Sequence, residues 1–235
     1  MKEPKVIKVD FHHSQYYPEL VNKNQIDLHH TVSDPHSHTG DVNSFLSDPS
    51  RIATCIILGY NGNLYKLFNS QHWGRHLGIK QIELRKHGFK DYLYRNELLD
   101  KQSIAIEIDC WGGLILGDNS TKKFGNILVK TLPGKFYNAY GNVIDVSKNP
   151  VEECKWRGYN FFQKYSDAQI DTLAWILPHL MEANEIPNYG LKDGNFDVRL
   201  DALKGEPGIF SHSNYRPDKS DLYPDSRIVK MLNSL

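Results

Sequence analysis

One short run constrains the fold more than any other feature. Ser103-Ile104-Ala105-Ile106-Glu107-Ile108-Asp109 alternates with a period of two, the period of a β-strand. It sets Ile104, Ile106 and Ile108 on one face and Ala105, Glu107 and Asp109 on the other. The isoleucine face demands cover, so the chain must build a sheet with an apolar layer against it. Glu107 falls on the opposite face, where the pattern fits either a solvent-facing side chain or a carboxylate presented on an interior strand. Gln25-Ile26-Asp27-Leu28-His29 repeats the alternation, with Ile26 and Leu28 on one side and Asp27 and His29 on the other. Cys55-Ile56-Ile57-Leu58 and Leu64-Tyr65-Lys66-Leu67-Phe68 flank Asn61-Gly62-Asn63, which predicts a β-hairpin. Gly208-Ile209-Phe210-Ser211-His212 predicts a last short strand, followed by a polar segment from Ser213 to Asp225.

Helical signals punctuate these strands. Ser166-Asp167-Ala168-Gln169 is a capping box, and Ile170, Leu173, Ala174, Leu177, Leu180 and Met181 then recur at helical spacing. Pro178 removes a backbone donor inside that run, which predicts a kink or a break into two shorter helices. Strands mixed with helix place the chain in the α/β class, with a mixed central β-sheet flanked by α-helices. No internal repeat, low-complexity tract or clear boundary interrupts the 235 residues, so a single domain over 1–235 is expected. The aromatic stretch from Asp118 to Tyr165, with Phe136, Tyr137, Tyr140, Trp156, Tyr159, Phe161 and Phe162, is read as packing a β-hairpin extension rather than as a sugar-stacking platform.

Composition narrows the function classes. Lys+Arg and Asp+Glu each number 28, so no global positive field favours nucleic acid. No stretch approaches the roughly 18 apolar residues of a membrane helix, and Met1-Lys2-Glu3-Pro4-Lys5-Val6 lacks a secretory signal, so a chain cytoplasmic as synthesised is expected. Cys55, Cys110 and Cys154 lie far apart, which argues against a disulfide framework and a cysteine-based zinc site. The eleven histidines, several of them paired, are the unusual feature. A hydrolytic zinc site takes three protein ligands and leaves the fourth position for water. His29 ends one strand, His212 ends another, and Asp221 follows in a loop long enough to fold back. Spacing alone fits both such a site and hydrogen-bonded strand ends. His12-His13, and His36 with His38, are read as solvated loop residues.

Further along, the chain resembles the zinc-dependent N-acetylmuramoyl-L-alanine amidases of the type 2 amidase and peptidoglycan recognition protein superfamily, which includes phage lysozyme-type endolysins. Ile26-Asp27-Leu28-His29-His30-Thr31 resembles that family's strand ending in its first zinc histidine, and Asn61-Gly62-Asn63-Leu64-Tyr65 its DGxIY hairpin. Gly74-Arg75-His76-Leu77-Gly78 is similar to its WHAG segment, Ser103-Ile104-Ala105-Ile106-Glu107 to its SIGIE strand, and Tyr165-Ser166-Asp167-Ala168-Gln169 to its YTxxQ helix start. Ser211-His212-Ser213 with Lys219-Ser220-Asp221 resembles GHSD…RKxDPG. The blocks are in order over roughly residues 20 to 225, with 79–100 and 118–165 standing as insertions. Ser211 replaces the usual glycine, Lys219-Ser220-Asp221-Leu222 lacks the Pro-Gly, and Cys55 stands about where many members have His or Tyr.

The resemblance implies a mixed sheet with Zn2+ in a surface groove, held by His29, His212 and Asp221. Asp218 and Asp225 are rival third ligands. It further implies Glu107 as general acid–base, Lys219 as stabiliser of the tetrahedral oxyanion, and His30, Thr31 and His76 as substrate-cleft residues. The implied activity is hydrolysis of the amide between N-acetylmuramic acid and L-alanine in peptidoglycan, as a cell-wall-lytic endolysin released to the wall. The partners expected are peptidoglycan or muropeptide, with no nucleic acid, no membrane segment, and a monomeric chain. A non-catalytic peptidoglycan-binding module and a cytoplasmic muropeptide-recycling amidase are the alternatives.

Overall fold

The computed structural model describes residues 3–235. The elements are β1 (Val6–Lys8), β2 (Gln25–His30), α1 (His38–Ser47), β3 (Ile56–Leu58), β4 (Leu64–Lys66), α2 (Gln81–Lys86), α3 (Arg95–Gln102) and β5 (Ser103–Ile108). There follow β6 (Gly113–Leu116), β7 (Thr121–Phe124), β8 (Ile127–Lys130), β9 (Phe136–Tyr137), β10 (Val151–Trp156), β11 (Tyr159–Gln163), α4 (Asp167–Asn184), α5 (Leu200–Lys204), β12 (Gly208–Ser211) and α6 (Ser226–Asn233).

The alternating strands form one mixed sheet in the order β1-β4-β3-β5-β2-β12. Only the β3–β4 hairpin is antiparallel within it. Both faces are covered, and every residue of β2 is buried. One face carries Ile26, Leu28, Ile104, Ile106 and Ile108 into the main apolar core, together with Leu173, Leu177 and Leu180 of α4. The other face carries Asp27, His29 and Glu107. It is roofed by a second apolar cluster built from Leu77, Leu84 of α2, Leu99 of α3, Ala202 and Leu203 of α5, Phe210 and Tyr215. The segment 79–100 therefore supplies part of the roof over the polar face.

The hairpin turn is seated on the start of α4. Ser166 Oγ donates to the Tyr60 carbonyl at 2.6 Å and Thr172 Oγ1 to the Gly62 carbonyl at 2.9 Å. Gly62 has φ +80°, and a Cβ there would stand 3.0 Å from the Ala168 carbonyl oxygen, so backbone conformation and close approach both select glycine. The capping box forms as expected, but the break at Pro178 does not: α4 runs unbroken from Asp167 to Asn184. Proline forfeits one ladder bond, whereas Leu173, Leu177 and Leu180 on both sides of it are buried in the same core and hold one stripe in place. Leu177→Ala is expected to cost about 2–5 kcal/mol, read as a lowered urea midpoint with unchanged slope.

The aromatic segment folds as a four-stranded sheet, β10-β11-β6-β9, beside the separate β7–β8 pair. Its rings pack on one another and on the chain's C-terminal part, as expected. Phe162 and Tyr165 stack on Tyr223 at 4.6 and 4.8 Å, and Phe136 meets Phe161 edge-on at 5.2 Å.

Candidate metal centre

The polar face of the sheet gathers its chemistry at the C-terminal ends of parallel strands, where α/β sheets commonly place sites. His29 is the penultimate residue of β2, and His212 follows directly on β12, the next strand over. The chain then turns: Ser213 N–H donates to the Asp221 carbonyl at 2.8 Å, which closes the loop and returns Asp221 beside His212. Tyr215 ties the same turn to β2, its hydroxyl donating to Asp27 Oδ1 at 2.6 Å.

Three donor atoms converge as a result. His29 Nδ1 lies 3.0 Å from His212 Nδ1 and 3.5 Å from Asp221 Oδ2, and His212 Nδ1 lies 2.8 Å from Asp221 Oδ2. All three residues are buried, and among the described residues no other group of three or more histidine, cysteine or acidic side chains converges in this way. The protonation states suit a metal. Burial, followed by the neighbouring His212, pushes His29 down to about 4, so its imidazole is neutral at pH 7. Burial works to raise Asp221, but the facing His212 and the close approach of both histidine rings hold it well below the usual carboxylate range. Two imidazoles and a carboxylate are a zinc donor set. Ligand bonds of about 2.0–2.2 Å at tetrahedral angles set donor atoms about 3.3 Å apart, within the range of separations found here. The residues therefore fit a metal ion.

Asp218 and Asp225 stand outside this group. Asp218 is exposed and paired with Arg216 at 2.8 Å and Lys80 at 3.0 Å. Asp225 caps α6 and is clamped by Arg227 at 2.5 Å.

Glu107 is paired with His29 in the β2–β5 register, one strand spacing of about 4.8 Å away and on the same face. It is half-buried as a residue, yet its Oε2 is closed to solvent and has no hydrogen-bond partner. Burial, then the negative charges of Asp221 and Asp41, raise it well above the ordinary value, with Lys219 opposing. Lys219 is half-buried on the 213–221 loop, and its charge also reaches His29 and His30. Glu107 and Lys219 are thus the half-buried residues beside the three buried donors.

The three residues expected in a cleft are placed differently. His30 points to the opposite face of β2, is 4 % exposed, donates to or accepts from the Tyr165 hydroxyl at 2.9 Å, and packs so closely on Gly112 that a Cβ there would stand 2.7 Å from its Nε2. The one-residue step along a strand puts it there. Thr31 fastens the ends of β2 and β5, accepting at Oγ1 from Cys110 N–H at 3.2 Å and from Ser33 Oγ at 2.8 Å. His76 lies behind His29 with a side chain 3 % exposed: its Nδ1 is 3.1 Å from His29 Nε2 and its Nε2 is 2.8 Å from Ser103 Oγ. Sequence reasoning missed Ser103, Asp100 and the Leu77 carbonyl in this surround. Ser103 and Leu77 stood inside motif blocks without a role, and a backbone carbonyl leaves no sequence signal. The paired histidines outside the cluster pack elsewhere, His38 stacked on Tyr65 at 3.7 Å and His36 against Tyr60 at 5.0 Å.

A buried two-histidine, one-carboxylate cluster at the strand ends of a mixed α/β sheet defines a candidate metallohydrolase centre. Solved structures place the fold. The structure of PlyL aligns over 98% of this chain and 96% of its own, at 10% identity and a TM-score of 0.50, so the two share a fold. The N-acetylmuramoyl-L-alanine amidase LysC from Clostridium intestinale URNW aligns over 98% of both chains, at 13% identity and a TM-score of 0.46. The amidase AmiD from E. coli, in complex with the substrate anhydro-N-acetylmuramic acid-L-Ala-D-gamma-Glu-L-Lys, aligns over 92% of this chain and 58% of its own, at 14% identity and a TM-score of 0.47. No family model matches the sequence, and no curated protein matches it.

Proposed function

We propose that this chain is a zinc-dependent N-acetylmuramoyl-L-alanine amidase, a single domain acting as a monomer on peptidoglycan. The observation that carries the reading is the convergence of His29, His212 and Asp221 with Glu107 beside His29 on the same sheet face. The ordered sequence blocks and the fold shared with PlyL support it.

His29 and His212, both through Nδ1, and Asp221, through Oδ2, would hold the ion. When bound, zinc supplies Lewis acidity to the amide carbonyl and to the attacking water. Glu107 takes the proton from that water as its oxygen adds to the lactyl carbonyl carbon. It then delivers the proton to the alanine nitrogen as the C–N bond breaks, leaving a lactyl carboxylate and a free L-alanine amine. Burial raises Glu107 above the ordinary carboxylate range, the direction that favours this return of a proton. Lys219 places an ammonium near the oxygen that gains charge in the tetrahedral state. Lys219→Ala is expected to lower kcat by about 10²-fold with little change in KM, measured by steady-state release of amine from a soluble muropeptide.

The experiment that tests the reading is chromatography with mass detection on a MurNAc-tripeptide, run with zinc-loaded and chelator-treated protein. Zinc-restored release of an intact tripeptide supports it, and an unchanged substrate in both samples contradicts it. We further propose action as a lytic endolysin at the wall, which requires turnover on intact sacculi. Turnover confined to soluble muropeptides would favour a recycling role.

A further inference from the structure

Two hydrogen-bond paths leave the His29, His212 and Asp221 cluster, and both pass through one dipeptide, His76-Leu77. The first runs from His29 Nε2 to His76 Nδ1 at 3.1 Å, from His76 Nε2 to Ser103 Oγ at 2.8 Å, and from Ser103 Oγ to the Leu99 carbonyl at 2.8 Å. The second is a single bond, His212 Nε2 to the Leu77 carbonyl at 2.8 Å. Carbonyl oxygens only accept, so each path has a fixed direction. Ser103 must spend its O–H on Leu99 and present lone pairs to His76. The His76 ring then carries its proton on Nε2, a choice reinforced by Asp100 Oδ1 at 3.8 Å from the same nitrogen. Its Nδ1 is left as an acceptor, which requires the His29 proton on Nε2 and leaves His29 Nδ1 bare. The Leu77 carbonyl does the same for His212 directly.

We propose that His76-Leu77 is the positioning element of the metal centre, setting the tautomer of both ligand histidines so that each turns a bare Nδ1 to the ion. This rests on the reading of the cluster as a zinc site. The dipeptide is itself immobilised: Asp100 Oδ1 accepts from the backbone N–H of His76 at 3.1 Å and of Leu77 at 3.0 Å, and Asn96 donates to Asp100 Oδ2 at 2.8 Å. Leu84 and Leu99 share an apolar cluster with Leu77, and Asp100 is buried beside it. The sequence block containing Arg75-His76-Leu77 thus acquires a role behind the ligand histidines. Groups that orient metal-ligating histidines typically change metal affinity by 10–100-fold when removed.

The test is zinc affinity, measured by competition with a chromophoric chelator on protein whose fold is verified by circular dichroism, so that it does not depend on amidase activity. His76→Leu is expected to weaken zinc binding about 10–100-fold. His76→Gln, whose amide accepts and donates at the two ends, is expected to stay within about threefold of wild type. Folded His76→Leu that binds zinc as tightly as wild type overturns the proposal, and wild type that binds no zinc overturns both it and the metal-site reading. Should His76→Leu not fold, imidazole nitrogen NMR of zinc-loaded wild type decides. A proton on His76 Nε2 supports the relay, and one on Nδ1 overturns it.

Discussion

Asp221→Ala is expected to abolish zinc-dependent stabilisation and to reduce kcat/KM by about 10³-fold or more. Asp221 is the only carboxylate in the converging donor set, and its oxygen sits within 2.8 and 3.5 Å of the two histidine nitrogens. Without it the two imidazoles face the ion without a compensating negative charge. Metal catalysis contributes several kcal/mol to the transition state, and each 1.36 kcal/mol is tenfold in rate. Thermal unfolding with and without zinc separates loss of metal from loss of fold. Wild type gains RT ln(1 + [Zn]/Kd), about 2.7 kcal/mol at a hundredfold excess over Kd, and the variant gains little. A variant that keeps both the zinc-induced rise in Tm and the activity would remove Asp221 from the centre, and neither Asp218 nor Asp225 is placed to substitute for it.

Glu107→Gln is expected to cut kcat by about 10²–10⁴-fold while leaving zinc affinity within about threefold. Glu107 shares the sheet face of His29 but is not a member of the converging donor set, so the substitution separates proton transfer from metal holding. Glutamine keeps the volume and polarity of the side chain, and the Oε2 it replaces has no hydrogen-bond partner to lose. Stability should therefore hold or rise slightly as a costly buried carboxylate disappears. Equal losses of zinc affinity and turnover would instead make Glu107 a ligand or a structural support of the site.

Much of the architecture was legible because period-two alternation is a direct consequence of strand geometry. The isoleucines of Ser103–Ile108 and the Ile26/Leu28 pair defined the core face, and the capping box at Ser166 defined the start of the long helix. The effect of Pro178 was not legible, because the burial that overrides one missing donor comes from residues brought together only by the fold. The face of His29 followed from alternation, and the same rule placed His30 on the other side of the strand. Asp221 could be favoured over its neighbours only through its Lys-x-Asp context, whereas in the structure it stands beside both histidines and Asp218 and Asp225 pair with arginines. The tautomer relay was invisible beforehand, since it depends on the carbonyls of Leu77 and Leu99, which any residue would supply.

The most direct measurement of the central claim is digestion of purified sacculi by zinc-loaded protein, followed by labelling of new amino groups and identification of the labelled residue. Labelled L-alanine is expected, appearing with zinc and absent after chelation and in Asp221→Ala. Labelling of any other residue, or L-alanine release that persists without metal, would contradict it.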